Sequence, residues 1–154
     1  MHGTDFEKKV DDIVARYPQP KAAMLPVLWE VQGAKGWIDG EAEAWVANRL
    51  GVSPAHVHGC VTFYTMFKQR KMGKYHIQVC TTLSCMLRGC DNLMQHLETK
   101  LGIHPGEVTA DGKFSLVNVE CLGSCGTAPM FQLNDDYHED LTVEKIDTLL
   151  DGLP

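Results

Sequence analysis

Six cysteines occur in 154 residues, yet no two of them are separated by only two positions. That absence removes the C-x-x-C pair on which zinc ribbons and thioredoxin-type dithiols are built. There is no apolar run near the roughly 20 residues of a membrane span. The opening stretch Met1 to Lys9 has no apolar signal core. No G-x-G-x-x-G and no Walker loop is present, so nucleotide chemistry cannot be placed on this chain. Internal repeats and low-complexity stretches are also missing.

Positive charge is scarce in the second half. Residues 1–70 balance eight Lys/Arg against eight Asp/Glu, whereas residues 71–154 set six against twelve. An acidic half repels a phosphate backbone and argues against a nucleic-acid partner. With 44% hydrophobic and 22% charged residues, the composition is that of a globular protein.

The first half reads as helical. Residues 4–17 place Phe6, Val10, Ile13, Val14 and Tyr17 on one face, and Thr4 with Glu7 forms a capping-box pattern. A second helix over 20–34 contains Pro26, which kinks it or delays its start. Asp39 caps a third helix over 40–50, which Gly51 stops. Ser53-Pro54 opens a fourth helix running to Phe67, with Cys60 on its apolar stripe. The basic run from Lys68 to Lys74 reads as a linker, giving a helical domain at 1–70 and a second domain at 71–154.

From Tyr75 the period changes to alternation. A strand ends at Cys80, and a helix over 86–101 follows, with Leu87 among its packing residues. A second strand over 114–120 delivers Cys121. Residues 130–133 and 137–139 read as two short strands, and Thr142 caps a last helix to Leu150. The order β-α-β-β-α predicts an α+β chain: a helical bundle followed by an α/β domain.

Two cysteine pairs lie at strand ends, Cys80 with Cys85 and Cys121 with Cys125. Soft thiolates suit iron and its bridging sulfides, and a [2Fe–2S] rhomb takes two protein ligands on each iron. Gly123 and Gly126 should let backbone amides approach the sulfurs. Structural zinc and unligated thiols are the alternatives that spacing leaves open. Cys85 and Cys90 repeat the four-residue gap, but Cys90 falls inside the following helix and Cys60 on an apolar stripe, where thiols usually pack.

The stretches Cys80-Thr-Thr-Leu-Ser-Cys85-Met-Leu-Arg-Gly89, Glu120-Cys121-Leu-Gly-Ser-Cys125 and Ala128-Pro129-Met130 resemble the thioredoxin-like [2Fe–2S] subunit of respiratory NADH:quinone oxidoreductase. So do Thr62 to Phe67, Asn134 to Tyr137 and Glu139 to Thr142. The resemblance implies a thioredoxin-like second domain and one [2Fe–2S] cluster on Cys80, Cys85, Cys121 and Cys125. It implies one-electron exchange with FMN on a partner subunit that also binds NADH, and further iron–sulfur subunits in the assembly. It implies no catalytic residue and no membrane insertion here. The missing span and signal core read as a soluble cytoplasmic protein, which the resemblance would bring to the membrane face through the complex. Ser84 stands where many relatives have proline, and Cys90 is not a usual family cysteine. Equivalent subunits serve NAD-linked hydrogenases and formate dehydrogenases.

One rival reading comes from residues 43–61, whose two short helices about Gly51 resemble a helix-turn-helix and would suit a cluster-sensing transcription factor. Its second helix offers His56, His58 and Thr62 but no Arg or Lys before Lys68. Ordinary helix packing explains the turn as well. His56 and His58 diverge on a helix, and the acidic residues 135–140 lack the ligand spacing of a calcium loop.

Overall fold

The computed structural model describes residues 3–154. Backbone packing divides the chain into two compact units, one ending at Lys71 and the other spanning Met72–Pro154.

The first unit contains α1 (Thr4–Val14), a 3-10 turn at Pro20–Ala23, α2 (Met24–Lys35), α3 (Gly40–Leu50) and α4 (Pro54–Phe63). Val10, Val27, Leu28, Val31, Val46 and Val57 are fully buried and form the centre of its core. Two predicted caps form: Asp39 accepts from the Ala42 amide at 3.0 Å and Ser53 from the His56 amide at 3.3 Å. The Asp39 carboxyl is held below its ordinary range, first by the Lys35 ammonium and then by that amide. The capping box does not form. Gly3 is the N-cap, and its carbonyl accepts from the Phe6 and Glu7 amides. Thr4 is thus already the first helical residue.

Three helix boundaries differ from expectation for local reasons. α1 stops at Val14, before Pro18, whose ring disfavours helical backbone at Tyr17. α2 proper starts at Met24, so Pro26 sits in the first turn, where its missing N–H costs nothing. The same helix runs through Gly33 and ends at Gly36, whose φ is +91°. α4 ends at Phe63 rather than Phe67, because Tyr64 turns extended. The side-chain amide of buried Gln32 captures the next stretch of backbone: Nε2 donates to the Met66 carbonyl at 3.0 Å, and Oε1 accepts from the Lys68 amide at 2.6 Å. Phe67 is thereby buried in the core without being helical.

The second unit is a four-stranded sheet in the order β2-β1-β3-β4 with three helices. Its strands are β1 (Tyr75–Cys80), β2 (Phe114–Val119), β3 (Phe131–Leu133) and β4 (Asp136–His138). β1 and β2 are parallel with Cys80 opposite Val119, while β1–β3 and β3–β4 are antiparallel. A parallel pair needs a long crossover, and here it contains α5 (Leu83–Leu87) and α6 (Cys90–Leu101). The single helix expected over 86–101 is therefore two. Gly89, at φ +89°, breaks them in a left-handed conformation. Leu87 lies on the short piece and is 78% exposed, so it does not pack as expected. α7 (Val143–Asp151) begins at the Thr142 cap, which accepts from the Lys145 amide at 3.3 Å. Ile77, Leu97, Leu116, Phe131 and Ile146 form the core. Each such side chain contributes about 1.5–3 kcal/mol by leaving water.

Gly73 leads into β1 against the backbone of β2. Its amide donates to Ser115 Oγ at 3.0 Å, and a Cβ there would stand 2.4 Å from the Phe114 carbonyl carbon. Gly73→Ala should therefore destabilise the protein by roughly 1–3 kcal/mol, the usual range for overpacking. Gly126→Ala, where a Cβ meets nothing within 4 Å, should change stability little. Urea unfolding followed by far-ultraviolet circular dichroism checks both, and equal midpoints for the two variants would contradict the expectation.

Candidate metal centre

Parallel pairing of β1 and β2 sets both strand C-termini at the same end of the sheet. Cys80 is the last residue of β1, and Cys121 lies two residues beyond Val119, which pairs with Cys80. Neighbouring strands are about 4.8 Å apart, so the two cysteine-bearing segments start side by side. Thr81 reinforces the junction, donating from both its amide and its hydroxyl to the Val119 carbonyl at 3.2 Å.

The first pair is buried. Cys80 and Cys85 are each 2% exposed, and Cys85 lies on α5 rather than on an open loop. They pack with Cys90, Ala128 and Met130, with Leu122 against them. The Cys80 amide donates to the Met130 carbonyl at 3.3 Å. Burial pushes the Cys80 thiol up, but hydrogen bonds from the Thr82 hydroxyl at 3.3 Å, the Thr82 and Leu122 amides and the Cys85 thiol outweigh it. The thiol ends below its ordinary range. For Cys85, burial and then the proton shared with Cys80 raise the value to about 11. Of the two, Cys80 is therefore the readier to act as a thiolate and Cys85 the more reluctant, and a metal ion bound there would displace the thiol protons.

The second pair is exposed. Cys121 and Cys125 face solvent with their sulfurs 3.7 Å apart. That separation is far beyond the roughly 2.05 Å of a disulfide. It matches the ~3.8 Å edge of a tetrahedron with metal–sulfur bonds of about 2.3 Å. The Gly123 amide points at Cys121 Sγ from 3.3 Å. Glycine is needed at 123 because φ is +82°, not because a Cβ would collide: neither Gly123 nor Gly126 has an atom within 4 Å of that position.

The other two cysteines differ from each other. Cys60 is half-buried against the helical core. Cys90 is the first residue of α6, fully buried beside Cys80 and Cys85. Burial first, and then neighbouring Asp91, raise its thiol above the ordinary range. Among the described residues no three His, Cys, Asp or Glu side chains converge as they would on a single ion.

The sequence profile of thioredoxin-like [2Fe–2S] ferredoxins matches residues 10–154. The chain belongs to that family. It is 46% identical over 155 residues to the E subunit of NADH-quinone oxidoreductase from Rickettsia bellii, covering 96% of this chain and 93% of that one. It is 45% identical over 152 residues to NADH-quinone oxidoreductase subunit 2 of Thermus thermophilus, covering 97% and 84% respectively. Among solved structures, an NAD+-reducing [NiFe]-hydrogenase in its air-oxidized state aligns with a TM-score of 0.70 and 25% identity over 80% of this chain. The chain spans 22% of that hydrogenase chain's length.

The donor set fits the family's iron–sulfur cluster. Two thiol pairs, each on its own segment and set at one end of the sheet, are what a rhomb with two ligands per iron requires. Several partners around the pairs carry no signal in the spacing of cysteines: Thr82 beside Cys80, the Leu122 amide, and the Tyr137 hydroxyl that donates to the Leu122 carbonyl at 2.8 Å. In the sequence, the acidic stretch containing Tyr137 reads as a turn, a short strand and a helix start, with nothing that ties it to the cysteines.

The difference in exposure gives an ordering. In the metal-free folded chain, iodoacetamide should label Cys121 and Cys125 well before Cys80, Cys85 and Cys90. Peptide mass spectrometry over a time course reads this out, and simultaneous labelling of all five would contradict the burial described.

Proposed function

We propose that this chain is the one-electron-transfer subunit of an NADH dehydrogenase module. It holds one [2Fe–2S] cluster on Cys80, Cys85, Cys121 and Cys125. The observation that carries this reading is the pair of dithiol segments at the ends of two adjacent parallel strands. When bound, the cluster supplies a reversible one-electron step. The chain's own residues fix where that step is available. Cys80 and Cys85 anchor one side in an apolar pocket with Ala128 and Met130, and Cys121 and Cys125 hold the other at the surface. The Leu122 and Gly123 amides direct positive dipoles at Cys80 and Cys121, which favours thiolate sulfur at both.

The kinship with subunits of NADH-quinone oxidoreductase supports a place in a multi-subunit respiratory enzyme. The flavin, FMN, and the NADH site belong to a partner subunit in this reading, since the chain has no nucleotide fingerprint. Further iron–sulfur subunits continue the path, and no nucleic acid is involved. No helix is long and apolar enough to cross a membrane among the described residues. A cytoplasmic placement against the membrane face comes through the complex. The division into domains 1–70 and 71–154 belongs to this proposal and is supported by the change from helical to alternating period. The likeness to an NAD+-reducing hydrogenase favours a second reading, the equivalent subunit of an NAD-linked hydrogenase.

Anaerobic purification, iron and sulfide analysis and EPR test the centre. The expected result is about two irons and two sulfides per chain, with a signal that appears only on reduction. Cys121→Ser should disturb that signal, and Cys90→Ser should leave it intact. A colourless zinc protein would end the reading, and the opposite mutant pattern would end the ligand assignment.

A further inference from the structure

The exposed dithiol segment has short-range ties of its own, from the Gly123 amide to Cys121 Sγ at 3.3 Å and from the Thr127 amide to the Ser124 carbonyl at 3.2 Å, but it has no apolar core. It is also strapped from outside by residues 137–141, which run from the second half of β4 toward α7. Tyr137 Oη donates to the Leu122 carbonyl at 2.8 Å. Glu139 Oε1 accepts from two hydroxyls of the cysteine segment, Ser124 Oγ and Thr127 Oγ1, the latter at 2.6 Å. The Asp140 amide donates to the Thr127 carbonyl at 2.7 Å, and the Leu141 amide to the Pro129 carbonyl at 3.0 Å. Lys145 Nζ closes the far side on the Asp140 carbonyl at 2.7 Å. Asp140 has φ +47°, a conformation disfavoured for any residue with a Cβ, so the strap follows a defined path.

We infer that Glu139 is a positioning residue for the cluster: it fixes Cys121 and Cys125 through Ser124 and Thr127 and biases the centre toward its oxidised state. Ser124 is the residue immediately before Cys125, so a carboxylate holding its hydroxyl restrains the backbone that aims Cys125. Charged acceptors make the stronger hydrogen bonds, and a single oxygen here serves two donors. The same full negative charge lies next to the solvent-facing half of the site, where an added electron is opposed by it. Tyr137 complements this by holding Leu122, whose amide reaches Cys80. One acidic residue and one tyrosine on the same short strap thus address both cysteine pairs.

This inference rests on the cluster reading, and its test has one arm that does not. In the metal-free full-length chain, Glu139→Ala should raise the iodoacetamide labelling rate of Cys121 and Cys125 by about five- to tenfold, the size expected for losing a charge-assisted hydrogen bond at a partly solvated site. Labelling of Cys80, Cys85 and Cys90 should be unchanged, as should the circular dichroism spectrum. Glu139→Gln keeps an oxygen acceptor and should restore most of the protection. In the cluster-loaded chain, an EPR redox titration should give a higher midpoint potential for Glu139→Gln than for wild type, a change that a merely structural role would not produce. Unchanged labelling in Glu139→Ala, or an unchanged potential in Glu139→Gln, would overturn the inference. A wild-type chain that takes up no iron or sulfide would instead overturn the cluster reading, with the labelling arm still deciding whether the strap holds the thiols.

Discussion

The parallel pairing of β1 with β2 is the constraint on which the centre depends. An antiparallel pair would have sent the chain ends of Cys80 and Cys121 to opposite ends of the sheet. Parallel pairing forces them together, and it obliges the chain to cross over through α5 and α6 before β2 can form. The crossover is used twice. It completes the layer of helix against sheet, with Leu93 and Leu97 in the core, and its first turn carries Cys85 back beneath Cys80. The fold and the dithiol arrangement are consequences of one topological choice.

The two halves of the centre are then built from different physics. Cys80 and Cys85 are held as core residues are held, by apolar contact and burial, with hydrogen bonds tipping only one of them toward the thiolate. Cys121 and Cys125 have no such contact and owe their 3.7 Å separation to a left-handed glycine and to polar ties. Burial of both pairs would leave the net negative charge of a four-thiolate centre in a low-dielectric pocket, which is costly. Exposure of both would leave the segments without an apolar anchor. One buried side and one wet side also leave an edge that, in the proposed reading, an electron would use to reach another protein.

Much of this is legible in the residues because the periods are clean. The change from helical to alternating spacing at Tyr75 identifies the sheet, and the caps Asp39, Ser53 and Thr142 identify helix starts with local chemistry that the fold retains. Expectation and structure part where a distant group or a single backbone conformation overrides a local pattern. The Gln32 side chain, more than thirty residues away in sequence, ends α4 early by capturing the backbone at 66–68. Gly89 splits a helix that hydrophobic spacing alone would have kept whole, and so turns Leu87 outward. The cysteine pairs are legible by type and spacing. Their opposite burial is not, because it depends on which side of the sheet end each segment packs.

The short hairpin of β3 and β4 shows the same division between local rule and distant purpose. Each strand has three residues, too few for an independently stable unit. β3 is secured by pairing with β1 and by burying Phe131 and Leu133, but β4 pairs only with β3 and is largely exposed. Its one ring contact, His138 on Phe131 with centroids 5.5 Å apart, is slight support for an edge strand at that place. What it does is reverse the chain so that residues 137–141 pass back across the segment carrying Cys121 and Cys125. Asn134, at φ +54°, makes the reversal, and its side chain ties the turn to β1 by accepting from the His76 amide at 2.9 Å. The turn is thus fixed to the strand that ends in Cys80, and the strap it launches is fixed to the segment that begins at Cys121. Through that hairpin the two sides of the centre are referred to a common frame, which is how an exposed dithiol can keep a defined geometry without a core of its own.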